Sequence, residues 1–264
     1  MKIGFIGCGN MATAMLKGIL KSGEVEALDM IASAKSDKTR EKIEKELGIR
    51  KADTNAQVVD FADVVFLAVK PQFLEGVLDE IRGSVKAGQI FISIAPGKTL
   101  QWLGERLGEN TKVIRTMPNT PAMVGEGMTA LCVNELVTEE ETALAVKLCD
   151  TFGKTEVIPE HLMDAVVGVS GSSPAYVFMF LEAMADAAVA DGMPRAQAYK
   201  FAAQSVLGSA KLMLETGKHP GELKDMVCSP AGTTIQAVRV LEEKGFRSAV
   251  IEAQTECVKK AKGM

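Results

Sequence analysis

The sequence lacks the features that mark nucleic-acid-binding, disulfide-rich and metal-binding proteins. Its 34 Asp and Glu outnumber 30 Lys and Arg, and no basic arm or stripe is present, so we expect no nucleic-acid partner. The five cysteines are scattered, odd in number and without a CxxC pair, which indicates neither a disulfide framework nor a metal site. Free thiols are typical of a reducing compartment, and we therefore expect a cytoplasmic protein.

Long apolar runs are missing as well. The uninterrupted apolar stretches are far shorter than the ~18 residues that a membrane span requires. Glycines interrupt the first residues, MKIGFIGCGN, and no small-residue cleavage site follows them, so we expect neither a signal peptide nor a membrane partner. Hydrophobic residues make up 47% of the 264 positions, enough for the core of one large domain or two ordinary ones.

The chain divides into two parts with different patterns. In the first part, short continuous apolar runs alternate with amphipathic stretches, which predicts a doubly wound, mostly parallel sheet of Rossmann type over residues 1–160. The predicted strands are 3–7, 27–33, 64–69, 90–94, 112–117, 129–133 and 155–158, and the predicted helices are 10–22, 38–47, 71–83, 99–107 and 138–150. Residues 161–264 predict only helices, at 173–191, 195–216, 232–244 and 247–262. The second part is therefore expected to be an all-helical domain.

A glycine-rich turn follows the first predicted strand. Gly7, Gly9 and Ala12 have G-x-G-x-x-A spacing between a strand and a helix. In a dinucleotide site the first glycine permits the tight turn, the second lets the backbone approach a pyrophosphate, and the alanine lets helix and strand pack closely. The helix N-terminus then offers unpaired amides to the phosphates. This context favours cofactor binding over a structural turn, with Cys8, Asn10 and Met11 as neighbours of the phosphates.

The end of the second predicted strand indicates which dinucleotide is bound. NAD sites usually carry an acidic residue about 20 residues after the glycines. Here the chain has Ser33 and Lys35 with no acid before Asp37. A lysine flanked by hydroxyls suits a 2′-phosphate, which favours NADPH, with NADH as the alternative. The structural alternative is that Lys35 is an ordinary exposed lysine. Asn55 completes the expected set at this end of the site.

Two further strand ends face the same crevice if the sheet is parallel. The segment AVKPQ brings Ala68, Val69, Lys70 and Pro71 to the end of one strand, and IAPGK brings Ala95 and Pro96 to the end of the next. Because ligands of such sheets bind beyond the carboxyl ends of the strands, we expect these residues to contact the cofactor. Lys70 and Pro71 also suit a plain helix start, since proline is favoured at the first helical position.

The motifs GCGNMA, AVKPQ, RTMPNTPA, GVSGSSPAYVF and KDMVCSPAGTTIQAVRVLE occur in this order. In this respect the whole chain resembles the pyrroline-5-carboxylate reductase family. The resemblance implies a Rossmann domain that binds NAD(P)H and a helical domain that binds substrate and forms an intertwined homodimer, with larger rings of dimers in some members. It also implies reduction of 1-pyrroline-5-carboxylate to L-proline, the last step of proline synthesis.

The resemblance also suggests what SPAGTT (229–234) binds. The amides of Gly232, Thr233 and Thr234 at a helix start suit the substrate carboxylate, with Ser229 beside it. Thr234 is placed against the ring nitrogen and is the expected catalytic residue. The family commonly has two glycines after the proline, whereas this chain has Ala231, which does not easily take a positive φ. An ordinary capped helix remains the structural alternative.

The general acid is not evident. Only two histidines are present, and both His161 and His219 are interpreted as capping or surface residues, so the imine is expected to arrive already protonated. Two other functions stay open from the residues alone. One is another imine reductase or a β-hydroxyacid dehydrogenase, for which Lys200 and Lys211 are the helical lysines. The other is a non-catalytic NADP sensor, which would need the first glycine turn but not residues 229–234.

Overall fold

The computed structural model describes residues 1–263, and the predicted strands and helices are largely present in it. The strands are β1 Ile3–Ile6, β2 Met30–Ser33, β3 Arg50–Ala52, β4 Val64–Leu67, β5 Ile90–Ser93, β6 Lys112–Met117, β7 Gly127–Val133 and β8 Gly153–Val157. The helices are α1 Asn10–Ser22, α2 Asp37–Lys45, α3 Asn55–Phe61, α4 Pro71–Ile81, α5 Leu100–Leu107, α6 Glu139–Asp150, α7 Met163–Val166, α8 Ser173–Ala190, α9 Arg195–Thr216, α10 Pro220–Val227, α11 Thr233–Glu243 and α12 Phe246–Lys262.

The strands form one sheet in the order β3-β2-β1-β4-β5-β6-β7-β8. All neighbouring strands are parallel except β6 and β7, which are antiparallel. The loop between those two strands is too short for the crossover that a parallel pair needs. The predicted mostly parallel, doubly wound sheet is therefore confirmed, and the carboxyl ends of β1, β2, β4, β5 and β6 share one edge.

Two apolar cores cover the two faces of the sheet, as the continuous apolar strands predict. On one face α1, α2 and α6 pack over alternate strand residues such as Phe5 and Phe66, whose rings stack with centroids 4.5 Å apart. On the other face α3, α4 and α5 pack over the intervening residues, including Val65 and Phe91. Because successive side chains of a strand point to opposite faces, a strand covered on both sides has no polar alternation.

The sequence reading missed or misplaced several elements. Strand β3 was not predicted, because it has three residues, two of them charged and exposed. Helix α3 was missed although Thr54 and Gln57 form a complete capping box at its start. Residues 27–29 form a 3-10 turn rather than the beginning of β2, and α10 lies between the predicted helices 195–216 and 232–244, where no helix was predicted.

The described residues form two compact units. The first holds Met1–Ser172 with the last turns of α12 from Cys257, and the second holds Ser173–Glu256. The predicted division at 160/161 stays a prediction. In the second unit α8 packs against α9, and many large apolar side chains are exposed, among them Phe178 at 64% and Leu214 at 84%.

One helical run, Glu160–Ala190, is long and apolar enough to pass a length and composition test for a membrane span, with a mean hydropathy of 1.2. The finding is weak, because helices of soluble proteins pass the same test. The chain passes through a short π-helix, Val167–Gly171, within this run.

Candidate active site

The glycine turn after β1 is built around a backbone contact that only glycine permits. Gly7 has a φ of +94°, a conformation that residues with a side chain rarely adopt. A Cβ atom at Gly7 would lie 2.7 Å from the carbonyl oxygen of Ala68 and 2.9 Å from its carbonyl carbon. The turn therefore brings the ends of β1 and β4 together, and the tight-turn role expected of Gly7 agrees with this geometry.

Gly9 has a different environment. It is the N-cap of α1 in extended backbone conformation, and no heavy atom lies within 4 Å of a Cβ placed on it. No side chain caps this helix, and its first turn carries no acidic residue. The N-terminal amides of α1 and the open space at Gly9 therefore fit a pyrophosphate.

The other residues around this turn have distinct surroundings. Ala12 is 1% exposed and packs in the core between α1 and the sheet. Cys8 is buried, with its Sγ 3.9 Å from the Thr13 hydroxyl, while Asn10 begins α1 and is exposed. Met11 is half-buried against the same core.

A cavity of about 430 Å³ lies beyond the carboxyl ends of β1 and β2. It brings together Gly7, Ser33, Lys35, Asn55 and Val69, all of which the sequence assigned to cofactor binding. The sequence reading missed other residues of its lining. These are Ala34, Arg40, Asp53, Thr54, Phe73, Gly76, Val77 and Glu80.

Hydrogen bonds connect three polar side chains of this cavity. The hydroxyl of Ser33 donates to Oδ1 of Asn55 over 2.7 Å, and Nδ2 of Asn55 donates to Oε2 of Glu80 over 2.8 Å. Ser33 is 4% exposed, so its orientation is fixed by packing as well as by this bond. Asn55 is thereby held with its carbonyl group toward the end of β2 and its amide group toward α4.

Two cations lie on the β2 side of the cavity. Nε of Arg40 donates to the carbonyl oxygen of Ala34 over 2.7 Å, which holds the guanidinium group beside the strand end. Nζ of Lys35 lies 5.6 Å from the centroid of the Phe73 ring. None of the strand-end residues 33–35 is acidic, whereas NAD sites place an acid there for the ribose hydroxyl, so the two cations fit a 2′-phosphate. Arg40 also pairs with Asp37, with 3.8 Å between Nη1 and Oδ1.

The remaining residues assigned to the cofactor lie at the ends of β4 and β5, outside the lining of this cavity. Lys70 is the N-cap of α4 and Pro71 its first residue, so the plain helix-start interpretation describes their local structure. The carbonyl group of Ala68 lies against Gly7. Ala95 is buried, and its amide donates to the hydroxyl of Ser93. Pro96 follows at the same edge of the sheet, half-buried.

The loop after β6, residues 118–126, is held by side-chain hydrogen bonds. Nδ2 of Asn119 donates to the carbonyl oxygen of Ser170 in the π-helix, and its Oδ1 accepts from the amide of Met128. Arg115 is almost fully buried and pairs with Glu160, with 3.0 Å between Nη1 and Oε1. These contacts give residues 115–127 a structural role.

Residues 229–234 lie in the second unit, where 229–232 form a tight turn and Thr233 and Thr234 begin α11. The amide of Gly232 donates to the carbonyl oxygen of Ser229 over 3.1 Å. Ala231 has a φ of +57° and is the only described residue other than glycine with a positive φ. The doubt attached to alanine at this position is therefore resolved: the chain adopts the left-handed conformation here despite the side chain.

The turn leaves donors available at the start of α11. Gly232 is the N-cap without a side-chain hydrogen bond, and Thr233 and Thr234 are the first two residues of the helix. A Cβ atom at Gly232 would lie 2.3 Å from Oγ of Ser229, so the serine hydroxyl packs directly over the glycine. The Thr234 hydroxyl has no hydrogen-bond partner within residues 1–263. Amides and hydroxyls thus gather at one helix end, as an anion site requires.

The histidines and helical lysines do not form a proton-transfer site. Nδ1 of His219 accepts a hydrogen bond from the amide of Gly221 at the start of α10, which confirms the capping interpretation. His161 is exposed in a 3-10 turn. Lys200 is exposed, and Lys211 is exposed and pairs with Glu215, so neither resembles a buried catalytic acid.

No disulfide joins any of the five cysteines within residues 1–263, and no group of metal-ligating side chains occurs there. Burial raises the pKa of Cys132 to about 12 and that of Cys149 to about 12. Both thiols therefore stay protonated near neutral pH and are poor nucleophiles.

Comparison with known proteins reveals relatives along the whole chain. Residues 160–264 match the family model for pyrroline-5-carboxylate reductase dimerisation, and residues 2–97 match that for NADP oxidoreductase, coenzyme F420-dependent. The chain is 56% identical over 260 residues to a pyrroline-5-carboxylate reductase of Escherichia coli, covering 98% of this chain and 97% of that protein. It is 45% identical over 252 residues to one of Methanosarcina acetivorans, covering 96% and 93%.

Solved structures similar to this chain include proteins with the same name as these relatives. A pyrroline-5-carboxylate reductase of Coxiella burnetii superposes with a TM-score of 0.93 at 34% identity, covering 99% of this chain and 97% of that one. A pyrroline carboxylate reductase of Plasmodium falciparum with NADP bound superposes with a TM-score of 0.89 at 28% identity, covering 100% and 97%.

Proposed function

Since the chain belongs to the pyrroline-5-carboxylate reductase family, we propose that it reduces the ring imine of 1-pyrroline-5-carboxylate to L-proline with NAD(P)H. The family is shown by relatives that match nearly the whole chain, and the enzyme is an NAD(P)-dependent oxidoreductase. The single observation that carries the residue-level proposal is the turn at 229–232. It ends at a helix start whose amides and hydroxyls are available for a small anion.

The cofactor is proposed to bind along the carboxyl edge of the sheet. Gly9 and the first amides of α1 hold the pyrophosphate, because the space in front of Gly9 is open. Lys35, supported by Arg40, holds a 2′-phosphate, so NADPH is the expected cofactor and NADH the alternative. When bound, the reduced nicotinamide supplies the hydride. The ends of β4 and β5, including Val69 and Ala95, shape the remainder of the site.

The substrate is a small ring with a carboxylate and a C=N bond. The amides of Thr233 and Thr234, together with the hydroxyl of Ser229, are proposed to bind the carboxylate. The amide of Gly232, assigned to the same role from the sequence, already donates to the carbonyl oxygen of Ser229. Fixing a small molecule by its carboxylate fixes the orientation of its C=N bond, and such positioning is worth several kcal/mol of the barrier in general.

The hydroxyl of Thr234 is proposed to hydrogen-bond the ring nitrogen. The carbon of an imine that is protonated on nitrogen is more electrophilic than that of the neutral imine. A substrate that arrives protonated therefore needs no histidine as a proton donor. The capping role of His219 is consistent with that arrangement. The residues therefore bind and orient the substrate, and the proton required by the product amine is already on the nitrogen.

Self-association is proposed to occur through the second unit. Residues 160–264 match a dimerisation family, and apolar side chains such as Phe201 at 68% and Leu214 at 84% are exposed in the single chain. Surfaces of this kind commonly mark interfaces. We propose a homodimer, larger rings of dimers and a cytoplasmic location, with neither membrane nor nucleic acid as a partner.

The proposal is tested by following oxidation of NADPH and of NADH at 340 nm with 1-pyrroline-5-carboxylate, and L-proline is the expected product. Thr234→Ala should lower kcat roughly 10- to 100-fold, the value of one lost hydrogen bond. The Kd for NADPH should stay within about twofold, because that variant leaves the glycine turn intact.

Thr234→Ser is the matched control, since it keeps the hydroxyl and should retain most of the turnover. Equal turnover in Thr234→Ala and the unmodified enzyme would remove Thr234 from the mechanism. No proline formation with either cofactor would refute the proposed reaction itself.

A further inference from the structure

We propose that Glu80 sets the balance between NADPH and NADH by opposing the 2′-phosphate and by holding Asn55. Glu80 is in α4 and lines the cavity at the end of β2. This inference rests on the proposed cofactor site and names a selectivity residue within it. Glu80 was not predicted as a site residue, because it lies 47 residues after Ser33 and on another element.

The cavity carries charges of both signs. Lys35 and Arg40 lie on the β2 side, while Asp53 and Glu80 also contribute to the lining. Glu80 forms no ion pair among the described residues, so its charge is not neutralised by a side chain. A 2′-phosphate, which carries nearly two negative charges, would be attracted by the cations and repelled by this carboxylate.

The hydrogen bonds around Asn55 add to this effect. Glu80 only accepts hydrogen bonds when ionised, so it selects the orientation of Asn55 in which Nδ2 faces α4. Oδ1 of Asn55 then accepts the single proton of the Ser33 hydroxyl. The Ser33 hydroxyl is therefore not free to donate to a phosphate, and one amide proton of Asn55 is occupied as well.

The same arrangement suits an unmodified ribose. A ribose hydroxyl both donates and accepts, so it is able to use the acceptor atoms of Asn55, Glu80 and Ser33 that a phosphate cannot. The cavity therefore combines cations for NADPH with acceptors for NADH. On this basis Glu80 lowers the preference for NADPH that Lys35 and Arg40 would otherwise give.

The test is calorimetric titration with 2′,5′-ADP and with 5′-AMP, two probes that differ by the 2′-phosphate and require neither substrate nor hydride transfer. Glu80→Gln should tighten binding of 2′,5′-ADP roughly three- to tenfold, because it removes one partly screened charge facing about two. Binding of 5′-AMP should stay unchanged or weaken. The increase in affinity for 2′,5′-ADP caused by Glu80→Gln should become smaller as the salt concentration rises.

Asp79→Asn is the matched control. Asp79 is the neighbouring exposed carboxylate of α4, outside the cavity lining, so this variant changes net charge equally and should leave the ratio of the two affinities unchanged. Arg40→Gln should have the opposite effect to Glu80→Gln and weaken 2′,5′-ADP alone. The ratio of kcat/KM for NADPH to kcat/KM for NADH should rise in Glu80→Gln and fall in Arg40→Gln.

The proposal is overturned if Glu80→Gln leaves the ratio of the two affinities unchanged, or if Asp79→Asn changes it as much. It is also overturned if Glu80→Gln only lowers Tm, which would indicate a purely structural role. A wild-type enzyme that does not reduce 1-pyrroline-5-carboxylate would refute the proposed function instead, while the titrations with the two nucleotides would still decide the role of Glu80.

Discussion

Two glycines in one turn should respond in opposite ways to the same added methyl group. Gly7→Ala is expected to weaken the fold, whereas Gly9→Ala is expected to weaken cofactor binding and leave the fold intact. The two residues are separated by one position, and the substitution is identical, so each variant is the control for the other.

The cost at Gly7 follows from its conformation and its neighbours. Alanine at a φ of +94° is strained by about 1–2 kcal/mol. Its Cβ would also lie 2.7 Å from a backbone oxygen of Ala68, and forcing an extra carbon into a packed site costs about 1–3 kcal/mol. The sum of about 2–5 kcal/mol is a large part of the ~5–15 kcal/mol that stabilises a typical domain.

Gly9 has neither problem. Its φ of −76° is ordinary for alanine, and the space around its Cβ position is empty. Alanine would gain about 0.4–1 kcal/mol by restricting the unfolded chain. It would lose a similar amount because alanine is a poor N-cap compared with glycine. The net change in the free energy of unfolding is therefore close to zero.

The new methyl group at Gly9 would occupy the proposed pyrophosphate position. We expect the Kd for NADPH to rise about 10- to 100-fold, corresponding to about 1.4–3 kcal/mol of lost contact. Urea denaturation measures stability, and fluorescence titration with NADPH measures affinity. Wild-type affinity in Gly9→Ala would refute the placement of the pyrophosphate, and wild-type stability in Gly7→Ala would refute the close contact with Ala68.

Two further predictions concern strained backbone and buried thiols. Ala231→Gly should leave the free energy of unfolding unchanged or raise it by up to about 1 kcal/mol, because relief of the left-handed strain offsets the larger conformational entropy of glycine in the unfolded chain. The control Ala143→Gly, on the exposed face of α6, should lower the free energy of unfolding by about 1 kcal/mol. Urea denaturation measures both. An equal loss in both variants would contradict the strain at Ala231. Because burial raises the pKa of Cys132 and Cys149 from 9.0 to about 12, the folded chain keeps protons that the unfolded chain releases. Their contribution to stability is complete below pH 9 and declines as the pH rises from about 9 to 12, by about 1.4 kcal/mol per thiol and pH unit. The double variant Cys132→Ala/Cys149→Ala should lose this dependence, and an unchanged slope would show that the thiols do not cause it.

The alternation of apolar runs and amphipathic stretches was sufficient to predict the class of fold and most of its helices and strands. Continuous apolar segments such as 64–69, short and rich in β-branched residues, favour a strand covered on both faces. The spacing of Gly7 and Gly9 matches the turn that they form. The capping box at Thr54 was also present in the sequence, so α3 was predictable in principle. The order of the motifs was enough to indicate the family, which the relatives confirm.

The tertiary structure decided which distant residues share one site. Ser33, Asn55 and Glu80 come from three elements, and hydrogen bonds link them only because the parallel sheet aligns its carboxyl ends. Arg40 faces the same cavity through its contact with Ala34, which no spacing rule predicts. The left-handed conformation of Ala231 was likewise decided by the fold, because local preference opposes it while the turn at 229–232 requires it. Periodicity is a local property and is readable from the chain, whereas charge balance in a cavity depends on residues that meet only after folding.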